Sequence, residues 1–263
     1  MTDVRAKKSL GQHFLVDMSV AKGVADSLRV DKPTRVLEVG PGMGALTQFL
    51  LQDPNIKLTA IEVDSESVDY LKLHYPQLDV MFGDFLRLPL ETIVPEGDFY
   101  VVGNYPYNIS TQIFFKILDY KDRIPVAAGM LQKEVAERIA APPGSRTYGI
   151  TSVLLQAFYD IEYLFTVHEH VFSPPPKVKS AVIRMVRNNV QHLPCDEQLF
   201  VRVVKTAFGQ RRKTLRNSLK SITGDSPLPS QFVLQRPECL SVDQFVELTN
   251  AVQSILDEKN NPA

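Results

Sequence analysis

Residues 103–108 read GNYPYN and follow GDFYVV, a run that is apolar only in its last residues. The tetrapeptide Asn104-Tyr105-Pro106-Tyr107 combines groups that suit an exocyclic amine on a flat ring. An asparagine carbonyl accepts a hydrogen bond, the bend fixed by Pro106 presents a backbone carbonyl beside it, and the face of Tyr107 supports a planar ring. An NH2 group donating to both oxygens has its nitrogen lone pair drawn out of conjugation and aimed at an electrophile. Alignment and electrostatics, rather than a strong base, then carry the reaction. Stacking on the tyrosine contributes about 1–3 kcal/mol, comparable to the few kcal/mol needed to flip a base out of a helix. Taken alone, the tetrapeptide also reads as a simple turn of the chain.

Other polar groups fall at comparable places. TRVLEVG (34–40) runs into Glu38-Val39-Gly40-Pro41-Gly42-Met43-Gly44, a glycine-rich turn that lets a ligand approach the backbone. Its spacing departs from the dinucleotide fingerprint, because the third glycine comes one position early and Ala45 stands where glycine or alanine is wanted. Spacing alone leaves NAD open. Glu62, twenty-two residues after Gly40, ends the run KLTAIEV (57–63), where it can accept two hydrogen bonds from a ribose diol. Asp84 in FGDF follows the short apolar stretch VMF and reads either as a third ligand-facing acid or as a turn former.

These positions require a parallel sheet to hold them. TRVLEVG, KLTAIEV and DFYVVGN (98–104) are short, β-branched runs bounded by Gly, Pro or Asp, as buried strands should be. MGALTQFLLQ (43–52), SESVDYLKLHY (65–75) and VAAGMLQ (126–132) running into KEVAERIA show apolar residues at helical spacing. Alternating strand and helix predicts a Rossmann-like, doubly wound α/β sheet, with ligands at the carboxyl ends of its strands. YLFTVH (163–168) and SAVIRMV (180–186) read as two late strands joined through SPPPKV, whose prolines forbid helix. From about residue 195 onward only helices are expected, so the division is into 1–190, the ligand-binding domain, and 191–263, a small all-helical C-terminal domain.

With 263 residues, 44% of them hydrophobic, the chain can bury a large core. No segment resembles a signal peptide or a spanning helix, which makes the cytoplasm the default location. Cys195 and Cys239 lie far apart with no CxxC pair, and His168, Glu169 and His170 make a poor metal set, so neither a disulfide nor a metal site is expected. The formal net charge of −1 hides clustering. Phe200–Lys220 holds Arg202, Lys205, Arg211, Arg212, Lys213, Arg216 and Lys220 without an acid, and Phe172–Arg187 holds Lys177, Lys179, Arg184 and Arg187, again without one.

EVGPGMG, NYPY, LGQHFL (10–15), LQKEVAERI (131–139), FSPPPKVKSAV (172–182) and AFGQRRKTLRNSL (207–219) together resemble the small-subunit ribosomal RNA adenine N6,N6-dimethyltransferases. The resemblance runs from about Lys7 to about Asn250. The glycine turn alone is a weak signal and the Asn-x-Pro-Tyr tetrapeptide also marks enzymes that methylate adenine in DNA or glutamine in proteins; the combination of motifs in this order is specific.

The resemblance implies S-adenosyl-L-methionine as cofactor and two methyl groups on each of two adjacent adenosines near the 3′ end of small-subunit RNA, within a pre-ribosomal particle, by a monomer. By position, the family's cofactor contacts fall on His13, Leu15, Gly40, Gly42, Glu62, Asp84 and Asn104. Asn104 and the Pro106 carbonyl would orient the target N6, Tyr107 would stack on the base, and Phe172 is the candidate for the base's other face. Two departures stand out: the family more often has Asn where this chain has His13, and Leu where it has Tyr105.

FGQRRKTLRNSLK is read as a helix with Arg211, Arg212, Lys213, Arg216 and Lys220 on one side and Phe208, Leu215 and Leu219 on the other. Together with Lys177 and Lys179 this is the expected RNA-binding surface, contacting phosphates rather than bases; a solvated helix face is the alternative. Two rival functions remain open from sequence: modification of large-subunit RNA of the macrolide-resistance type, and an assembly factor for which binding matters more than methylation.

Overall fold

The computed structural model of the protein describes residues 6–7 and 10–260. In chain order the elements are β1 (Phe14–Leu15), α1 (Met18–Asp26), β2 (Thr34–Val39), α2 (Thr47–Leu50), β3 (Ile56–Glu62), α3 (Ser65–His74), β4 (Asp79–Phe82), β5 (Tyr100–Asn104), α4 (Ser110–Asp119), β6 (Val126–Gln132), α5 (Lys133–Ile139), α6 (Ile150–Gln156), β7 (Tyr159–Val167), β8 (Phe172–Ser173), β9 (Ser180–Arg187), α7 (Glu197–Gly209), α8 (Leu215–Ser218), α9 (Lys220–Thr223), α10 (Ser230–Val233) and α11 (Val242–Asn260). The described residues form two compact units. One comprises those up to Ala136 with Asp160–Arg187; the other comprises Glu137–Tyr159 with those from Asn188 onward. The expected boundary had assigned 137–159 to the first domain.

The first unit is built on a seven-stranded sheet of order β4-β3-β2-β5-β6-β9-β7. Strands β4, β3, β2, β5 and β6 pair in parallel, and β9 is antiparallel to β6. The order reverses direction between β2 and β5, the switch point at which an open α/β sheet leaves a crevice beyond its carboxyl edge. Central strands are apolar because both faces are covered: Leu37, Ile61 and Val101 are at most 1% exposed, each contributing about 1.5–3 kcal/mol of burial. Asp17 and Asp64 cap α1 and α3 by accepting the Ser19 and Glu66 backbone N–H at 2.9 and 3.2 Å.

Two helical expectations fail here. VAAGMLQ is strand β6, with all but its last residue buried. A short run of small apolar residues covered on both faces lacks the alternation that marks a strand, and so imitates a buried helix. A Cβ on Gly129 would lie 2.3 Å from the Gly103 carbonyl and 2.5 Å from the Tyr105 ring, so the β5–β6 contact needs a bare backbone there. The helix expected over 43–52 shrinks to α2, because Gly40, Gly42 and Gly44 all take positive φ and carry the chain through turns first.

In the second unit α7 packs against α6, α8 and α11. Asp196 caps α7 by accepting the Leu199 N–H at 2.7 Å, and Phe200, Val203, Phe245 and Leu248 fill the interior. The basic segment is not one helix. α7 ends at Gly209, a turn closes with Lys213 N–H on the Gln210 carbonyl at 2.8 Å, and α8 starts after Thr214. Gly209 and Thr214 are stop and start signals that outweigh the charge periodicity.

Candidate active site

The carboxyl edge of the first unit's sheet carries a cavity of about 440 Å³, within the roughly 300–1,000 Å³ typical of small-molecule sites. His13, Leu15, Gly40, Gly42, Glu62, Asp84, Asn104, Pro106 and Tyr107 all line it. They come from β1, the β2 turn, the ends of β3 and β5 and the loop after β4, so the fold gathers what the sequence scatters over 95 positions.

Glu62 is 4% exposed. Its Oε2 accepts the Gly42 N–H at 3.0 Å, and Oε1 accepts those of Val63 and Asp64 at 2.8 and 2.9 Å. Burial raises its carboxyl above the usual range, opposed by these three bonds. Asp84 accepts the Leu86 N–H at 2.9 Å and pairs with the exposed Arg87 at 3.2 Å, so it shapes its own turn as well as facing the cavity. Asn104 donates through Nδ2 to the His13 carbonyl at 3.2 Å, which leaves the amide's acceptor end for a ligand. The Pro106 carbonyl already accepts the Ile109 N–H at 3.2 Å and keeps a second lone pair.

Tyr107 is anchored through its hydroxyl to Ser180, and the His13 ring stacks on it with centroids 5.4 Å apart and 26° between planes. Tyr105, which departs from the family pattern, points the other way. It is 1% exposed and donates to the Ala128 carbonyl at 2.8 Å, holding β5 to β6 beneath the site. Phe172 is not among the lining residues. It is 3% exposed within the core, and its backbone pairs with that of Leu15. A phenylalanine before three prolines looks surface-exposed in sequence; the short β1–β8 ladder turns it inward.

The sequence reading passed over two features. Glu38, 1% exposed on β2, also lines the cavity and accepts from Thr47 Oγ1 at 2.7 Å; burial pushes its carboxyl up to about 8. An acid inside an otherwise apolar strand was the available signal. The second is the tether of the N-terminal segment: Lys7 and Gln12 reach Asp64 at 2.6 and 3.1 Å, a pairing across more than 50 positions that local reading cannot supply.

Of the expected RNA-binding residues, Lys177 and Lys179 are exposed in the first unit, and Arg212, Lys213 and Arg216 in the second. Arg211 is instead half-buried, donating to the Ser145 carbonyl at 3.3 Å and standing 3.9 Å from Glu238, and Lys220 pairs with Asp225 at 2.9 Å. Among the described residues no cluster of three or more His, Cys, Asp or Glu could hold a metal ion, and no helix is long and apolar enough to cross a membrane.

Solved structures share this architecture. A dimethyladenosine transferase from Plasmodium falciparum superposes with a TM-score of 0.77 at 22% identity, over 92% of this chain and 98% of that one. The 23S rRNA methyltransferase ErmE gives 0.65 at 24%, over 91% and 99%. At that distance the likeness is one of fold, and the fold is that of the Rossmann-like methyltransferases. Sequence takes the assignment further. The chain belongs to the ribosomal RNA adenine dimethylase family, whose model matches residues 4–251. Relatives named ribosomal RNA small subunit methyltransferase A are 60% identical over 262 residues in Parabacteroides distasonis, covering 97% of each chain, and 58% over 257 residues in Bacteroides thetaiotaomicron, covering 96% of each.

Proposed function

We propose that this protein transfers methyl groups from S-adenosylmethionine to N6 of two adjacent adenosines near the 3′ end of small-subunit ribosomal RNA, giving N6,N6-dimethyladenosines during maturation of the subunit. The observation that carries the reading is the meeting of two unlike recognition surfaces in one cavity. Its lining carries the Glu62 and Asp84 carboxyl groups and no lysine or arginine; a third carboxyl, Glu38, is kept protonated by its burial and adds no charge. Such a wall suits a cationic ligand with ribose and amino donors, and opposes the pyrophosphate of a dinucleotide. Its rim bears Asn104, Pro106 and Tyr107, two acceptors and a ring for an aminopurine.

The residues present therefore fit S-adenosylmethionine, which when bound supplies an electrophilic methyl group on a sulfonium. Glu62 accepts from the ribose hydroxyls while its backbone bonds hold it in place. Gly40 and Gly42 let the ligand lie against the main chain, and Asp84 accepts an adenine amino proton. At the rim the Asn104 acceptor and the second lone pair of the Pro106 carbonyl each take one N6 hydrogen. That draws the nitrogen lone pair out of conjugation and fixes its direction. After transfer N6 carries one proton too many and releases it to solvent, so no strong base is needed beside it.

The test is incubation of unmethylated small subunits, and separately of large subunits, with the protein and S-adenosylmethionine. Methyl incorporation into small-subunit adenosines that Asn104→Ala abolishes supports the reading. Incorporation into large subunits only, or a variant that still methylates at the wild-type rate, overturns it.

A further inference from the structure

Resting on the cofactor reading above, we infer that Lys116 is a positioning residue for cofactor recognition: from α4 it holds the loop after β4 so that Asp84 and Phe85 stand where the adenine of S-adenosylmethionine meets them. Asp84 and Phe85 line the cavity, whereas Lys116 does not. It acts through the loop.

The loop requires a partner because it is irregular and lies against the core. Phe85 is 5% exposed, and backbone carbonyls buried outside helix and sheet have to find donors elsewhere. Part of that requirement is met within the loop. The Asp84 carboxylate accepts the Leu86 N–H at 2.9 Å, and the Asp84 carbonyl accepts those of Arg87 and Leu88 at 3.0 Å each. The carbonyls of Phe85 and Leu88 turn outward instead, and the half-buried Lys116 ammonium donates to both. The same ammonium stands over the Phe85 ring, 5.1 Å from its centre, a cation–π contact. The residue next to Asp84 is thereby fixed by main chain and by side chain, and the far end of the turn by its carbonyl. A turn bonded only to itself can still pivot at the end of β4; bonds to a neighbouring helix remove that freedom. The carboxylate then meets an adenine amino group without first ordering its loop.

The same side of α4 and the turn beyond it holds the rest of the segment. Four positions on, the Tyr120 hydroxyl donates to Glu91 at 3.0 Å and accepts the Leu90 N–H at 3.3 Å. Three further on, Arg123 donates to the Val94 and Gly97 carbonyls at 2.7 Å each. Of the three, Lys116 alone bonds a residue that lines the cavity. Arg123 is therefore the natural control, a staple on the same segment away from the ligand.

The test is calorimetric binding of S-adenosylhomocysteine, and of its inosine counterpart with a 6-oxo group in place of the amino group, to wild type, Lys116→Met and Arg123→Met, with the melting temperature of each. Facing a carbonyl instead of an amino donor, Asp84 loses a charge-assisted bond, so wild type should prefer the adenine ligand by roughly 10- to 150-fold. In Lys116→Met, whose side chain keeps its length but not its donors, that preference should shrink by at least about threefold. Arg123→Met should lower the melting temperature and keep the wild-type preference. Lys116→Gln, with a neutral donor on a shorter stem, should lie between wild type and Lys116→Met, and carries the test if the methionine variant does not fold. An unchanged preference in the Lys116 variants, or an equal loss of preference in Arg123→Met, overturns the inference. Wild type binding both ligands equally would instead overturn the assignment of Asp84 on which it rests.

Discussion

Replacing Glu62 by Gln separates what this residue does for the fold from what it does for the ligand. Oε1 accepts two backbone N–H groups and Oε2 accepts that of Gly42. A glutamine will keep its oxygen where two donors converge and turn its NH2 toward Gly42, leaving one buried donor facing another. An unsatisfied buried N–H costs about 1–3 kcal/mol. Losing the burial penalty of a carboxylate, which raises this group's pKa, offsets part of that. At about 2–4 °C per kcal/mol for a chain of this size, the melting temperature should fall by roughly 2–10 °C. The ligand effect is larger in proportion. Wild type with S-adenosylmethionine at 100 times Kd should gain about 2.7 kcal/mol. Loss of one charge-assisted bond to a ribose hydroxyl, worth about 1.5–3 kcal/mol, raises Kd at least tenfold. At the same concentration the gain then falls to about 1.4 kcal/mol or less. Thermal denaturation with and without the cofactor measures both. A variant that melts like wild type and shows an undiminished shift with S-adenosylmethionine would refute the assignment of Glu62.

Four further outcomes follow from individual contacts. Glu38 is neutral in the folded protein until about pH 8, but ionises near 4.5 when unfolded. The unfolded state thus binds fewer protons across that interval, and stability declines as pH rises through it, by up to about 1.4 kcal/mol per unit, levelling off above 8. Glu38→Gln should melt near wild type at pH 5 and, after a loss of about 4 kcal/mol in wild type, roughly 8–16 °C above it at pH 8.5; parallel pH profiles would contradict this. Replacing Arg212, Lys213 and Arg216 by Ala should weaken RNA binding and lower the slope of log Kd against log salt by about 0.7 per lost phosphate contact to a single strand. Arg211→Ala, which removes the bond to Ser145, should instead lower the melting temperature. Gly129→Ala forces a methyl group into the Gly103 carbonyl, and overpacking of about 1–3 kcal/mol or more should appear as a shifted denaturant midpoint.

The site was more legible than its surroundings. Glu62 and Asn104 could be read because each closes a short β-branched run, and Asp84 because it follows an apolar one, since strand ends in a parallel sheet converge at one edge. The glycine turn was legible for the same reason. What stayed hidden depended on which face a residue turns, or on partners far along the chain. VAAGMLQ carries no periodicity to distinguish a strand buried on both sides from a helix. The basic run looked continuous until Gly209 and Thr214 were given their weight as helix boundaries. Phe172 is turned inward by a two-residue ladder with Phe14 and Leu15, and Arg211 is drawn inward by Glu238 and Ser145. No local pattern announces such long-range pairings.

The most direct measurement is mass spectrometry of ribosomal RNA from unmethylated small subunits treated with the purified protein and S-adenosylmethionine. The account requires two neighbouring N6,N6-dimethyladenosines near the 3′ end, absent when Asn104→Ala replaces the wild-type protein. Unmodified RNA, or methyl groups on residues other than adenosine N6, would contradict it.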